Sequence, residues 1–174
     1  IIISEKLYQH DMDARPLFNK HQIPLTNITF FKADSKLINT AHNSIDNLFS
    51  KLSENISVDT LAEFGITAPK CITGTIASGD QFIADKKQNE NILHDNPETM
   101  AVEMEGAAVA QVCHDYQTPF VVMRTISDNA DDNAHIDFPR FIDKVAKHYS
   151  EEIIQQMFKQ MYSFNKLRDT IAYT

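Results

Sequence analysis

Glycine is scarce in this chain, with four in 174 residues. No Gly-x-Gly-x-x-Gly turn and no Gly-x-x-x-x-Gly-Lys loop can be found. Both motifs use glycine to bring backbone amides against phosphate, so their absence argues against nucleoside triphosphates and dinucleotide cofactors as ligands. Cysteine is scarcer still. Cys71 and Cys113 sit apart in apolar surroundings, and neither a Cys-x-x-Cys nor a His-x-x-x-His pair suggests zinc. They read as two buried, reduced thiols of a cytoplasmic protein, with no metal site. Positive charge is also short: Lys and Arg number 16 against 24 Asp and Glu, for a net charge of −8. No basic cluster stands out, so nucleic acid is not an expected partner. No apolar run approaches the roughly 20 residues that cross a membrane. The opening Ile1-Ile2-Ile3-Ser4 has neither an initiator Met nor a basic leader. It reads as a strand already under way, and the expectation is a fragment of a longer polypeptide.

What the chain does contain is alternation. Ile1 to Ser4 reads as a buried strand, and Tyr8 to Asn27, polar with Pro16 and Pro24, as a long loop of the kind that is often functional. Phe30-Phe31 reads as a short strand or loop. Asp34-Ser35 caps a helix whose apolar positions Leu37, Ile38, Ala41, Ile45, Leu48, Phe49 and Leu52 follow helical spacing. Ile56 to Pro69 is mixed. Cys71 to Ala77 is β-branched and reads as a strand that stops at Ser78-Gly79-Asp80. Asp85 caps a short helix that Asn96-Pro97 ends. Met100 to Met104 reads as a strand, Glu105 to Tyr116 as a helix and Pro119 to Ser127 as a strongly buried strand. The apolar spacing from Phe138 to about Leu167 predicts a long final helix. Strands alternating with helices place the chain in the α/β class, as a single domain over residues 1–174.

Three strand ends carry polar groups: Ser78-Gly79-Asp80-Gln81-Phe82, Glu103-Met104-Glu105 and Ser127-Asp128. Open α/β sheets bind ligands at the carboxyl ends of their strands. Carboxylates set among core residues lose solvation unless a partner or ligand compensates. Two of them facing one pocket suit glycosidic-bond chemistry, in which one acid protonates the leaving group and another supports a cation-like sugar. A carboxylate can also accept two hydrogen bonds from the hydroxyls of a ribose, and an aromatic such as Phe82 can stack on a base. The competing reading is that these acids cap the helices that follow them. Phe82 and Met104 suit ordinary core packing equally well, Ser127 a turn cap, and Arg124 a surface ion pair of little worth.

Ala-Val-Glu-Met-Glu-Gly-Ala-Ala (101–108), Ser-Gly-Asp-Gln-Phe-Ile (78–83) and Arg-Thr-Ile-Ser-Asp-Asn-Ala-Asp (124–131), in that spacing, resemble the nucleoside phosphorylase/nucleosidase superfamily. Within it they are most similar to the 5′-methylthioadenosine/S-adenosylhomocysteine nucleosidase family. His10-Asp11-Met12-Asp13 and His135 followed by Phe138 match as well, so the resemblance runs from Ile1 to about Met161. It implies a three-layer α/β/α fold with a mixed central sheet, nucleoside phosphorylase-like and incomplete at its N-terminus. It also implies hydrolysis of the N-glycosidic bond to adenine and a thioribose product, without cofactor or metal, in a cytoplasmic homodimer that recycles by-products of methyl transfer and polyamine synthesis.

Residue by residue, the resemblance makes Asp128 the acid that protonates adenine N7, with Ser127 orienting it. Glu105 binds the ribose 2′ and 3′ hydroxyls, Met104 lies against the sugar, and Glu103 helps to position it. Phe82 stacks on adenine, while the Ile83 backbone reads its pairing edge and favours 6-amino over 6-oxo purines. Arg124 positions one of the carboxylates. Leu17, Phe18 and Pro24 close over the alkylthio group in the partner subunit's pocket. A Gly-Ser-Ala-Gly run and a water-activating glutamate belong to the family pattern upstream of Ile1, so the 174 residues alone are expected to be inactive. The rival readings are a purine nucleoside phosphorylase, which needs an anion site near Arg15 or Arg124, a nucleosidase acting on futalosine or AMP, and a non-catalytic purine-binding domain.

Overall fold

The computed structural model describes residues 1–83, 85–126 and 138–171, with side chains except those of Asn55, Phe138 and residues 164–171. The chain forms two compact units. One holds the described residues of Ile1–Ile38 and Cys71–His135, the other those of Asn39–Lys70 and Ile136–Thr174.

The first unit is built on a sheet. Strand β1 (Ile2–Gln9) pairs antiparallel with β2 (Phe31–Lys32). On its other edge it runs parallel to β3 (Ile72–Ser78), which pairs parallel with β4 (Thr99–Glu103). A two-residue strand, β5 (Met123–Arg124), lies antiparallel to the start of β1. The sheet is therefore mixed. Three layers follow from the period-two alternation of strand side chains. Leu7, Ile76 and Ala101 face helix α5 (Gly106–Asp115), whose Ala107 and Ala110 join their cluster. Their neighbours Tyr8 and Ala77 face the opposite way and bury Ile92 of helix α4 (Lys86–Asp95). Small residues on α5 allow the helix to sit close to the sheet. The Asp85 carboxylate accepts from the Gln88 amide at 2.9 Å and caps α4, as its side chain predicts.

Two strand expectations need correction. Strand β1 does not stop at Ser4 but continues to Gln9. Its register shifts between Ser4 and Lys6, and this bulge turns the charged pair Glu5-Lys6 outward. Lys6 there pairs with Glu98 at 2.7 Å, while Leu7 and Tyr8 return to full burial. The run from Pro119, by contrast, is not a strongly buried strand. Phe120 to Thr125 is half-buried, and only Met123–Arg124 pairs as strand. Pro119 has no N–H to donate. Val122 gives its own N–H to the Ser4 hydroxyl at 2.9 Å, which interrupts the backbone ladder. The thiols differ as well: Cys71 and Cys113 are half-buried, and neither is in a disulfide.

The second unit is helical. Helix α1 (Ser35–Ser50) begins at Asp34, whose Oδ1 accepts from the Lys36 and Leu37 amides, each at 2.9 Å. The part of α1 within this unit buries Ala41, Ile45 and Leu48. Leu52, read from its spacing as the end of that helix, instead opens a short helix α2 (Leu52–Asn55), and α3 (Val58–Glu63) lies in the stretch that reads as mixed in the sequence. Helix α6 (Phe138–Phe141) continues through a π-helical turn (Ile142–Ala146) into α7 (Lys147–Ile171). Phe141, Val145, Tyr149, Ile153 and Met157 are buried at four-residue intervals. The wider π turn keeps Phe141 and Val145 on one face with the rest. Phe49 meets Tyr149 edge-on at 6.1 Å, and Gln160 donates to the Ser44 hydroxyl at 2.9 Å. Among the described residues no helix is long and apolar enough to cross a membrane.

Candidate active site

Parallel pairing brings the carboxyl ends of β1, β3 and β4 together, with Gln9 opposite Ser78 and Ser78 opposite Glu103. The side chains beyond these positions form the candidate site. Glu103 is at its centre, 10 % exposed. Its Oε1 accepts from the Ser78 hydroxyl and, at 2.9 Å, from the Gly106 amide. Its Oε2 accepts from the Gly106 and Glu105 amides at 2.8 and 3.1 Å and from the Arg124 guanidinium. Burial alone would raise the pKa of this carboxyl. The donors from Ser78, Arg124 and the two amides outweigh it and hold Glu103 below the ordinary carboxylate range.

Glu103 therefore performs the helix-capping duty that the sequence left open for both acids. It satisfies the orphan amides at the start of α5 and sits at the positive end of the helix dipole. Glu105 occupies the N-cap position itself, yet its side chain makes no capping bond. That side chain is 72 % exposed, and among the described residues its one close partner is Arg124 Nη2 at 3.3 Å. One acid is saturated and structural; the other retains free acceptor capacity. Gly106 permits the arrangement, because a Cβ there would stand 3.0 Å from Glu103 Oε1 and 2.8 Å from Leu7 Cδ2.

Phe82, four residues past Ser78, is 78 % exposed. It is not a core residue, which removes the bland alternative for that ring. Ile83 is half-buried against the Tyr8 and Ala77 cluster. Met104 is exposed between the two acids, and Arg124 is half-buried. In the loop after β1, Leu17 is exposed while Phe18 and Pro24 are half-buried. Ser127, Asp128 and His135 lie outside the described residues.

The site also contains residues to which the sequence reading assigned no role. Ser78 is buried and links β3 to Glu103 and to the Ala107 amide, which donates to its hydroxyl at 2.7 Å. The available signal was a hydroxyl at the last residue of a β-branched run. His10 packs against Gly79 so tightly that a Cβ on Gly79 would collide with the imidazole. Its Nε2 is buried without a partner among the described residues, and burial lowers its pKa below the usual histidine value. Asp11 Oδ2 accepts from the Asp80 amide at 2.7 Å and ties the same two strand ends together. A hollow of about 540 Å³ lined by Lys32, Asp34, His114 and Phe120 includes neither Glu103 nor Glu105. Among the described residues no group of three His, Cys, Asp or Glu side chains could hold a metal ion.

An exposed carboxylate beside a guanidinium, with an exposed aromatic past the end of the neighbouring strand β3, can bind a polar ring through hydroxyls and a flat ring by stacking. Residues 1–159 match the Phosphorylase superfamily. A 5′-methylthioadenosine/S-adenosylhomocysteine nucleosidase of Bacillus subtilis is 34 % identical over 163 residues, covering 93 % of this chain and 62 % of that protein. The corresponding protein of Shewanella halifaxensis is 34 % identical over 161 residues, with 92 % and 62 % covered. The chain thus spans a little over three-fifths of the length of these curated relatives. Among solved structures, the nucleosidase of Neisseria meningitidis in complex with methylthio-immucillin-A matches with a TM-score of 0.73 at 29 % identity, covering 91 % of this chain and 61 % of that one. A futalosine hydrolase mutant of Helicobacter pylori matches with a TM-score of 0.70 at 29 % identity, with 91 % and 60 % covered.

Proposed function

The chain belongs to the phosphorylase superfamily, and from that premise we propose that it forms the sugar-binding part of a nucleosidase that hydrolyses the N-glycosidic bond of 5′-methylthioadenosine and S-adenosylhomocysteine. The observation that carries the reading is the division of labour between the two acids. Glu103 is committed to α5, Ser78 and Arg124, and Glu105 is left exposed with, among the described residues, only Arg124 beside its carboxylate.

In this reading Glu105 accepts hydrogen bonds from the ribose 2′ and 3′ hydroxyls, and its charge supports the cation-like sugar as the bond to the base lengthens. Phe82 stacks on the purine, the Ile83 backbone meets its pairing edge and Met104 covers the sugar. Asp128, with Ser127 orienting it, gives its proton to N7 as the C1′–N9 bond breaks and the bonding pair leaves with adenine. Water adds to C1′ and its proton passes to solvent, from which Asp128 is protonated again, giving the thioribose product. No cofactor or metal enters. Leu17, Phe18 and Pro24 cover the alkylthio tail in the partner subunit of a cytoplasmic homodimer. The role that follows is removal of the thionucleoside by-products of methyl transfer and polyamine synthesis, feeding methionine salvage.

A second reading is favoured by the futalosine hydrolase match, namely a nucleosidase acting on that nucleoside instead. Adenine release from 5′-methylthioadenosine by the active protein, followed by chromatography with and without phosphate, tests the proposal. Phosphate-independent release supports it. Cleavage that requires phosphate would make the protein a phosphorylase, and preferential cleavage of futalosine would establish the second reading.

A further inference from the structure

Ser78 ends β3 and is 3 % exposed. Its hydroxyl works in both directions, accepting from the Ala107 amide at 2.7 Å and donating to Glu103 Oε1. A serine hydroxyl has one proton. With the amide taking a lone pair, that proton is directed at Glu103 and selects one carboxylate orientation. The other oxygen, Glu103 Oε2, holds Arg124 Nη2. The same Nη2 lies 3.3 Å from Glu105 Oε2. Arg124 Nε is buried and has no partner among the described residues, so among these residues the carboxylates, Glu103 foremost, aim the guanidinium. A chain of direct contacts runs from the end of β3 to the exposed acid.

We propose that Ser78 is a positioning residue for the sugar-facing carboxylate, acting through Glu103 on Arg124 and through Arg124 on Glu105. The inference rests on the nucleosidase reading for its functional meaning but not for its geometry. The simpler role, a hydroxyl that only seals the start of α5, accounts for the Ala107 bond but predicts no effect on Arg124 or on sugar recognition. Hydrogen bonds to charged groups in a shared network couple more strongly than isolated ones, so loss of the Ser78 proton is felt two residues away.

The test compares the unmodified chain with Ser78→Ala, Glu103→Gln and the double variant. It reads the exchange of the Arg124 Nε–H with water by NMR, and binding of 5′-methylthioadenosine and of adenine by calorimetry. Ser78→Ala is expected to speed Arg124 exchange and to weaken 5′-methylthioadenosine about tenfold, the size of one hydrogen bond to a charged group, with adenine within about twofold of the unmodified chain. In the Glu103→Gln background the Ser78 change should add nothing further, since both act along one path. Ser78→Cys, close in size and with a weak donor, should give the same directions at smaller amplitude and serves if the alanine variant does not fold. Unchanged Arg124 exchange in a folded variant, or equal weakening of nucleoside and base, would overturn the inference. If the unmodified chain bound neither ligand, the nucleosidase reading would fail instead, and Arg124 exchange would still decide the part played by Ser78.

Discussion

Glu103 takes the Gly106 amide on both of its carboxylate oxygens, at 2.9 and 2.8 Å. That double acceptance makes Glu103 the keystone between β4 and α5 and separates its role from that of Glu105, two residues on. The separation has direct consequences for stability. Glu103→Gln loses the ion pair with Arg124 and one of the two acceptor oxygens, and should cost about 1–3 kcal/mol. Glu105→Gln removes only an exposed pairing and should stay within about 0.5 kcal/mol. Urea unfolding of the two variants checks this. Equal losses would mean that the two acids share the capping role.

Gly79 stands where the imidazole of His10 leaves no room for a Cβ, and a Cβ there would also lie 2.9 Å from Asp11 Cγ. Gly79→Ala should therefore push the ends of β1 and β3 apart and destabilise the protein by about 1–3 kcal/mol, as overpacking does. It should also free the Asp80 amide from Asp11. A lower urea midpoint with an unchanged slope is the expected signature.

His10 and His21 are both held below the usual histidine pKa, in each case chiefly by burial. The unfolded chain then takes up protons that the folded chain refuses. Stability should be full above the ordinary histidine value, about 6.5, and fall as the pH drops through it. Glu103, whose folded pKa is depressed, adds a further loss only at lower pH, below the ordinary glutamate value of about 4.3. Thermal melts at pH 7.5, 6.5 and 5.5 should show the first decline, and His10→Gln should make it shallower. A variant that melts with the unmodified pH profile would remove His10 from this effect.

Much of this architecture was legible because period and caps agree. Asp34 and Asp85 cap helices where their positions suggest, and the alanines of α5 meet Leu7 and Ile76. The rest depended on tertiary contacts that local pattern does not encode. Glu5 and Lys6 disguised the continuation of β1, because a bulge shifts the alternation. Val122 looked like buried strand, yet a side-chain hydroxyl takes its amide. By local pattern the two acids of Val-Glu-Met-Glu are alike, and only the resemblance assigned Glu105 to the ribose and Glu103 to a supporting place. Only the approach of Ser78, Gly106 and Arg124 shows which one is spent on the fold.

Asp128→Asn tests the acid step, since an amide cannot protonate N7. In the active protein, adenine release should fall by about 10²–10⁴-fold, with 5′-methylthioadenosine still bound and the melting temperature unchanged. Activity within a few-fold of the unmodified protein would assign the proton to another group.

The most direct measurement is the affinity of Glu105→Gln for 5′-methylthioadenosine and for adenine, read side by side by calorimetry. If Glu105 is the free acceptor for the ribose hydroxyls, the nucleoside should weaken about 10–100-fold, as expected for loss of charged hydrogen bonds. Adenine, which has no ribose, should bind as before. Unchanged nucleoside affinity, or an equal loss for both ligands, would contradict the assignment of the exposed acid to the sugar.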